Sequence, residues 1–219
     1  MSGRDGRPRP WGGTLSRAAE EPLKVVLALG NPGARYAGNR HNIGFRVADL
    51  LASRAGARFV REPGLGGVCE TARFRTGEED SILAKPRTYM NRSGRAALAL
   101  LGACGAGPGE LLVVHDEADL DLGRIRILPE GGAGGHNGVR SLIDALGTRE
   151  FARIRLGVRG VGRESAELAD YVLADFDPEE RPVVERLVVL GADAVEAVLA
   201  EGMESARGRF HGLRAGAGA

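Results

Sequence analysis

The groups in this sequence best suited to chemistry are one histidine, one aspartate and three asparagines. His41 sits in Arg40-His41-Asn42, between a turn and the start of a helical pattern. Its imidazole, with an ordinary pKa of about 6.5, is mostly a free base at neutral pH and can take a proton from water. A lone histidine is ordinarily a surface or capping residue, but this one has company. His115-Asp116-Glu117 ends an apolar run, so a carboxylate emerges where an imidazole N–H could find it. Such a carboxylate fixes the tautomer and stabilises the imidazolium. His115, on the run itself, reads as structural. Asn31 (Gly-Asn-Pro-Gly), Asn91 (Tyr-Met-Asn-Arg-Ser-Gly) and Asn137 (Gly-Gly-His-Asn-Gly) fall in loops. Asparagine in a glycine-rich turn usually serves backbone conformation. Yet a carboxamide both donates and accepts without charge, which suits holding a carbonyl or the oxyanion formed from it.

The surrounding patterns show what must position these groups. Residues 23–30 (LKVVLALG) and 111–117 (LLVVHDE) are short apolar runs followed by polar loops, and they predict buried strands. Ile43, Val47, Leu50 and Leu51 recur at helical spacing, with Gly56 as a stop. The stretch after Met90-Asn91 predicts a second helix, and VRSLIDALG, after the glycine-rich loop 131–138, predicts a third. Weak alternation over 67–74 and the apolar run 81–84 suggest strands, and GRIRIL and FARIRLGV alternate as strands do. From Pro178 to about Met203 an amphipathic pattern predicts a terminal helix, interrupted near Gly191. Strands alternating with helices indicate a single-domain α/β fold: a mixed, mostly parallel twisted sheet with helices on both faces. Ligands in such folds gather outside the carboxyl ends of the strands. The His41 and Asp116 motifs fall there.

Composition narrows the alternatives. The chain has 219 residues, enough for one domain, and its net charge of +1 announces no nucleic-acid binder. Residues 1–22 are rich in Arg, Gly and Pro without an apolar core, which argues against a secretory signal and predicts a disordered tail. Residues 213–219 read as a second flexible tail, leaving 23–212 as the domain. No apolar run approaches the roughly 20 residues of a membrane span, and the cytoplasm is the expected compartment. Cys104, in an apolar stretch, reads as a small buried hydrophobe rather than a disulfide partner. No Cys-x-x-Cys or His-x-x-x-His spacing occurs, so no metal is expected, and no cofactor either. The glycine-rich loop is not GxxxxGK[ST], and no Gly-x-Ser-x-Gly elbow exists. The residues alone thus reach a hydrolase with a histidine base and no covalent intermediate, but not its substrate.

Three blocks, GNPGARYAGNRHNIGF, KPRTYMNRSG and HDEADLDLGRIRILPEGGAGGHNG, resemble the signatures of bacterial-type peptidyl-tRNA hydrolases in order and spacing. The likeness covers roughly residues 24–212. It implies cleavage of the ester joining a peptide to the 3′ ribose of tRNA, with peptidyl-tRNA as the partner. Nothing in the sequence requires an assembly, and a monomer is the default expectation. By motif, it makes His41 the water-activating base and Asp116 its orienting carboxylate. Asn31 and Asn91 would position substrate and water or stabilise the oxyanion. Asn137, with the backbone near Met90, would hold the peptide; Tyr36 would wall His41, and His136 is a further substrate-binding candidate. Arg126 and Arg155 would grip tRNA phosphates. Leu128, Pro129-Glu130, Ala133 and Arg159-Gly160-Val161 depart from the family pattern, all on the expected RNA side. The competing readings are a non-hydrolytic RNA-binding relative and an enzyme for another acyl ester.

Overall fold

The computed structural model describes residues 25–76, 79–160 and 167–216. The expected N-terminal tail, Val161 and residues 217–219 lie outside the described residues.

Strand β1 (Val25–Ala28) leads through two short 3-10 turns into helix α1 (Ile43–Arg54). Then come β2 (Val60–Arg61), β3 (Cys69–Thr76), β4 (Glu79–Pro86), α2 (Ser93–Cys104), β5 (Leu111–Asp121), β6 (Ile125–Leu128), α3 (Asn137–Leu146) and β7 (Ala152–Arg159). The chain closes with α4 (Leu168–Leu173), α5 (Arg181–Glu201) and α6 (Met203–Phe210). The seven strands form one sheet in the order β2-β3-β4-β1-β5-β7-β6. β4, β1, β5 and β7 are parallel, while β3 and β6 run against their neighbours.

Alternation in the central strands explains why they read as continuous apolar runs. Val26 and Ala28 face one core with α1 and α5, and Val25 and Leu27 face the other with α2 and α3. Helices therefore cover both faces. From β1 the chain turns first toward β4 and later crosses to β5, so the strand order reverses at β1. A crevice at the carboxyl ends of such strands is the expected ligand site.

Three differences from the sequence expectations have physical causes. α5 runs unbroken through Gly191, because a Cβ there would lie 3.0 Å from Val47 and 3.1 Å from Leu156. Its glycine lets α5 pack closely on α1 and β7. Residues 213–216, read as tail, are held instead: Ala215 N–H donates to Gly123 O at 2.7 Å and Ile125 N–H to Leu213 O at 3.1 Å. Cys69 takes the fully buried position and Cys104 is only partly buried; burial first, and the two thiols' proximity second, push Cys69 up to about 12. Among the described residues no helix is long and apolar enough to cross a membrane.

Candidate active site

The loop after β1 is locked to the start of α1. Asn31 N–H donates to Asn42 Oδ1 at 2.9 Å, and Asn42 Nδ2–H returns to Asn31 O at 2.9 Å. Gly44 lets the helix start press onto the sheet: a Cβ there would lie 2.6 Å from Leu29 O and 2.7 Å from Val114 O. Any side chain would lift His41, which occupies the 3-10 turn Arg40–Asn42, away from β5. Arg40 fixes the turn from behind. Its buried guanidinium donates to Glu180 Oε2 at 2.7 Å and lies over the rings of Tyr171 and Phe176. Its backbone N–H reaches Ala174 O, tying the turn to the end of α4.

Asp116 is buried, with 1% of its surface exposed. One of its oxygens, Oδ1, lies 2.8 Å from His41 Nδ1 and 2.9 Å from His136 Nε2. The far side of His136 decides its tautomer. Its Nδ1 accepts Gly138 N–H at 3.1 Å and Val139 N–H at 3.3 Å, capping α3, so the proton resides on Nε2. Both nitrogens of His136 are committed, and it holds Asp116 rather than acting as a base. His41 donates through Nδ1–H to the carboxylate, which leaves Nε2 with its lone pair. Burial works to lower the His41 pKa, but the charge and hydrogen bond of Asp116 outweigh it and raise it. Burial alone would raise the carboxyl of Asp116. The charges and hydrogen bonds of His41 and His136 instead hold it far below the carboxylate range.

His41, Asp116 and His136 line a cleft of about 290 Å³ with Asn137, Gly134 and Gly135 on one side and Leu168 and Val172 of α4 on the other. The glycine-rich loop takes left-handed backbone at Gly134 (φ 56°) and Gly135 (φ 78°), which brings bare main chain to the rim. The asparagines do not all converge here. Asn137 is exposed at the cleft and also borders a shallow depression that holds Asn91. Asn31 lies behind them: its Oδ1 accepts Met90 N–H at 2.9 Å, which fixes the buried Met90. Tyr36 is half-buried, edge-on to the exposed Tyr89.

The two arginines expected to grip RNA sit side by side in register on β6 and β7. Arg126 is exposed, whereas Arg155 is largely buried and pairs with Glu117 at 3.0 Å. Leu128 ends β6, half-buried. His115 is fully buried behind the site; its Nδ1–H donates to Asp116 O at 2.6 Å, and burial first, then His136, holds its pKa well down. Its position agrees with a structural part.

One nitrogen each of His41 and His136 and a carboxylate oxygen of Asp116 lie within 4.8 Å of one another, close enough to hold a metal ion. Both nitrogens already direct hydrogen bonds at the same oxygen, so the arrangement is complete as a hydrogen-bonded cluster. The sequence assigned no part to Asn42, Leu168 or Val172. Asn42's partner is 11 residues away, and α4 is too short to announce itself by periodicity.

Comparison with known proteins places the chain as a whole among peptidyl-tRNA hydrolases. The peptidyl-tRNA hydrolase family pattern matches residues 25–217. Peptidyl-tRNA hydrolase of Mycobacterium bovis is 48% identical over 192 residues, 87% of this chain and 98% of that protein. That of Mycobacterium marinum is equally similar, with the same coverage. The crystal structure of Acinetobacter baumannii peptidyl-tRNA hydrolase superposes with a TM-score of 0.80 at 28% identity, covering 88% of this chain and 96% of that one.

Proposed function

This chain belongs to the peptidyl-tRNA hydrolase family and hydrolyses peptidyl-tRNA, and on that premise we propose that His41 is its general base. The observation that carries the assignment is the bond from His41 Nδ1 to the buried Asp116 carboxylate, 2.8 Å long. It leaves Nε2 as the one nitrogen able to take a proton. A water bonded to Nε2 attacks the ester carbonyl carbon as its proton passes to His41. The charge of Asp116 stabilises the imidazolium that forms. The tetrahedral intermediate then breaks its bond to the ribose 3′ oxygen, which takes the proton back from His41. Free tRNA and a peptide carboxylate leave.

Asn91 and Asn137, neutral and exposed beside the cleft, are the proposed donors to the peptide carbonyl and its oxyanion. Asn31 acts through the Met90 backbone it fixes, and Tyr36 walls the approach. His136 serves substrate indirectly, by holding Asp116. Bare backbone at Gly134 and Gly135 opposite apolar Leu168 and Val172 supports a peptide subsite indifferent to side chains, as an enzyme for any nascent peptide requires. Arg126 and Arg155 are the proposed RNA contacts at the β6–β7 edge. The proposed acting species is a monomer, working in the cytoplasm where translation supplies the substrate. The test is release of the acyl group from N-blocked aminoacyl-tRNA compared with simple free esters. Hydrolysis of the tRNA ester with little activity on the free esters is expected. Survival of the tRNA ester at saturating enzyme overturns the proposal.

A further inference from the structure

A second cleft opens at the same edge of the sheet, on the other side of β1 from Asp116. Asn31 and Asn42, the residue after His41, form its inner wall. Further out, Arg46 of α1, Arg61 of β2, Lys85 of β4 and the adjoining Arg87 line it against two acids, Asp49 and Glu70. Four cations face two carboxylates in a chain whose whole net charge is only +1. The pairing is loose as well. Glu70 is shared between Arg61 at 3.5 Å and Arg87 at 3.6 Å, Arg87 also reaches Gly67 O at 3.4 Å, and Arg46 feels the charge of Glu185. These contacts of the two Glu70 partners are all long, so their guanidinium groups keep N–H capacity for a ligand. Lys85 bonds Asp49 and lies over the Phe59 ring, which fixes its ammonium at the wall.

We infer that this cleft is a phosphate subsite for the single-stranded 3′ end of the RNA, separate from Arg126 and Arg155 on the far side of β5. The inference rests on the substrate proposed above. The ester must lie at His41, and the chain on each side of it has to leave along the sheet edge. Peptide sequence varies from substrate to substrate, so a permanently basic cleft cannot depend on acidic side chains in it. Phosphodiesters are present in every substrate. Guanidinium groups match them as bidentate partners.

The test compares the wild type with Arg46→Gln/Arg87→Gln on two substrates: N-blocked aminoacyl-tRNA, and the same acyl group on adenosine, which has no phosphate. The expected result is a fall of about tenfold in the ratio of kcat/KM for tRNA to that for adenosine ester, the loss of a charge-assisted hydrogen bond. The slope of log KM against log salt for tRNA should flatten by about 0.7 per contact removed. Arg46→Lys/Arg87→Lys should recover most of the ratio, which separates lost charge from a damaged fold. Arg75→Gln/Arg209→Gln, an equal loss of charge away from this cleft, should leave the ratio unchanged. An unchanged ratio in the cleft variant overturns the inference. So does a loss confined to acidic peptides on either carrier, which would make the cleft a peptide subsite. If instead the wild type hydrolyses neither substrate, it is the proposed function that fails.

Discussion

Replacing Asp116 by asparagine removes one charge from the point where two imidazoles converge and changes little else. His41 and His136 both bond the same oxygen, so an amide carbonyl oriented there accepts both N–H groups. The His136 tautomer is held independently by the cap of α3. Geometry should therefore survive while the electrostatics go. An imidazolium and a carboxylate with charge centres about 4 Å apart attract by about 4 kcal/mol at an effective dielectric of about 20. At about 1.4 kcal/mol per decade this is roughly three decades of rate for a full charge. The transition state carries only part of that charge, so kcat should fall about 10²–10³-fold. The pH profile gives an independent sign. His41 works unprotonated, so activity is lost as pH falls through its pKa, which Asp116 holds above 6.5. Without that carboxylate burial acts alone, and the acid limb should move to lower pH. Hydrolysis of N-blocked aminoacyl-tRNA at saturation across the pH range reads both effects. A rate within about tenfold of wild type, or an acid limb that stays put, refutes the electrostatic role given to Asp116.

Three further predictions concern how the site is held. Gly44→Ala drives a methyl against Leu29 O and Val114 O; thermal melts should show a clear loss of stability, and kcat should fall because His41 moves. Asn42→Ala breaks both bonds to Asn31 and leaves a buried N–H unpaired, costing about 1–3 kcal/mol in denaturant unfolding. Arg153, fully buried, donates to Gly131 O, Gly132 O and Arg149 O, and burial first, then Arg155, pushes its pKa down to about 10. Arg153→Met should speed amide hydrogen exchange across 131–135; unchanged exchange there means the arginine does not hold the loop.

His41 and Asp116, the proposed catalytic pair, were each legible because each sits in a local motif at or beyond the carboxyl end of an apolar run. β1 and β5 are covered on both faces, so they read as apolar runs whose carboxyl ends mark the site. What escapes spacing is pairing between distant loops. The part of His136 depends on two backbone N–H groups that only the folded start of α3 presents. Arg155 carries no mark in sequence that it would turn toward Glu117, 38 residues earlier. Gly191 has the signature of a helix break because a glycine that admits a neighbouring helix and one that ends its own look alike.

The central claim is that His41 takes the proton from the attacking water, and the kcat of His41→Ala on N-blocked aminoacyl-tRNA tests it most directly. His41→Ala removes one of the two N–H groups that the buried Asp116 carboxylate accepts. The variant should therefore melt somewhat lower than the wild type yet stay folded at assay temperature, because His136 still holds Asp116. Its kcat should be lower by about 10²–10⁴-fold, the usual contribution of a general base. A folded His41→Ala protein that turns over at the wild-type rate would contradict the account.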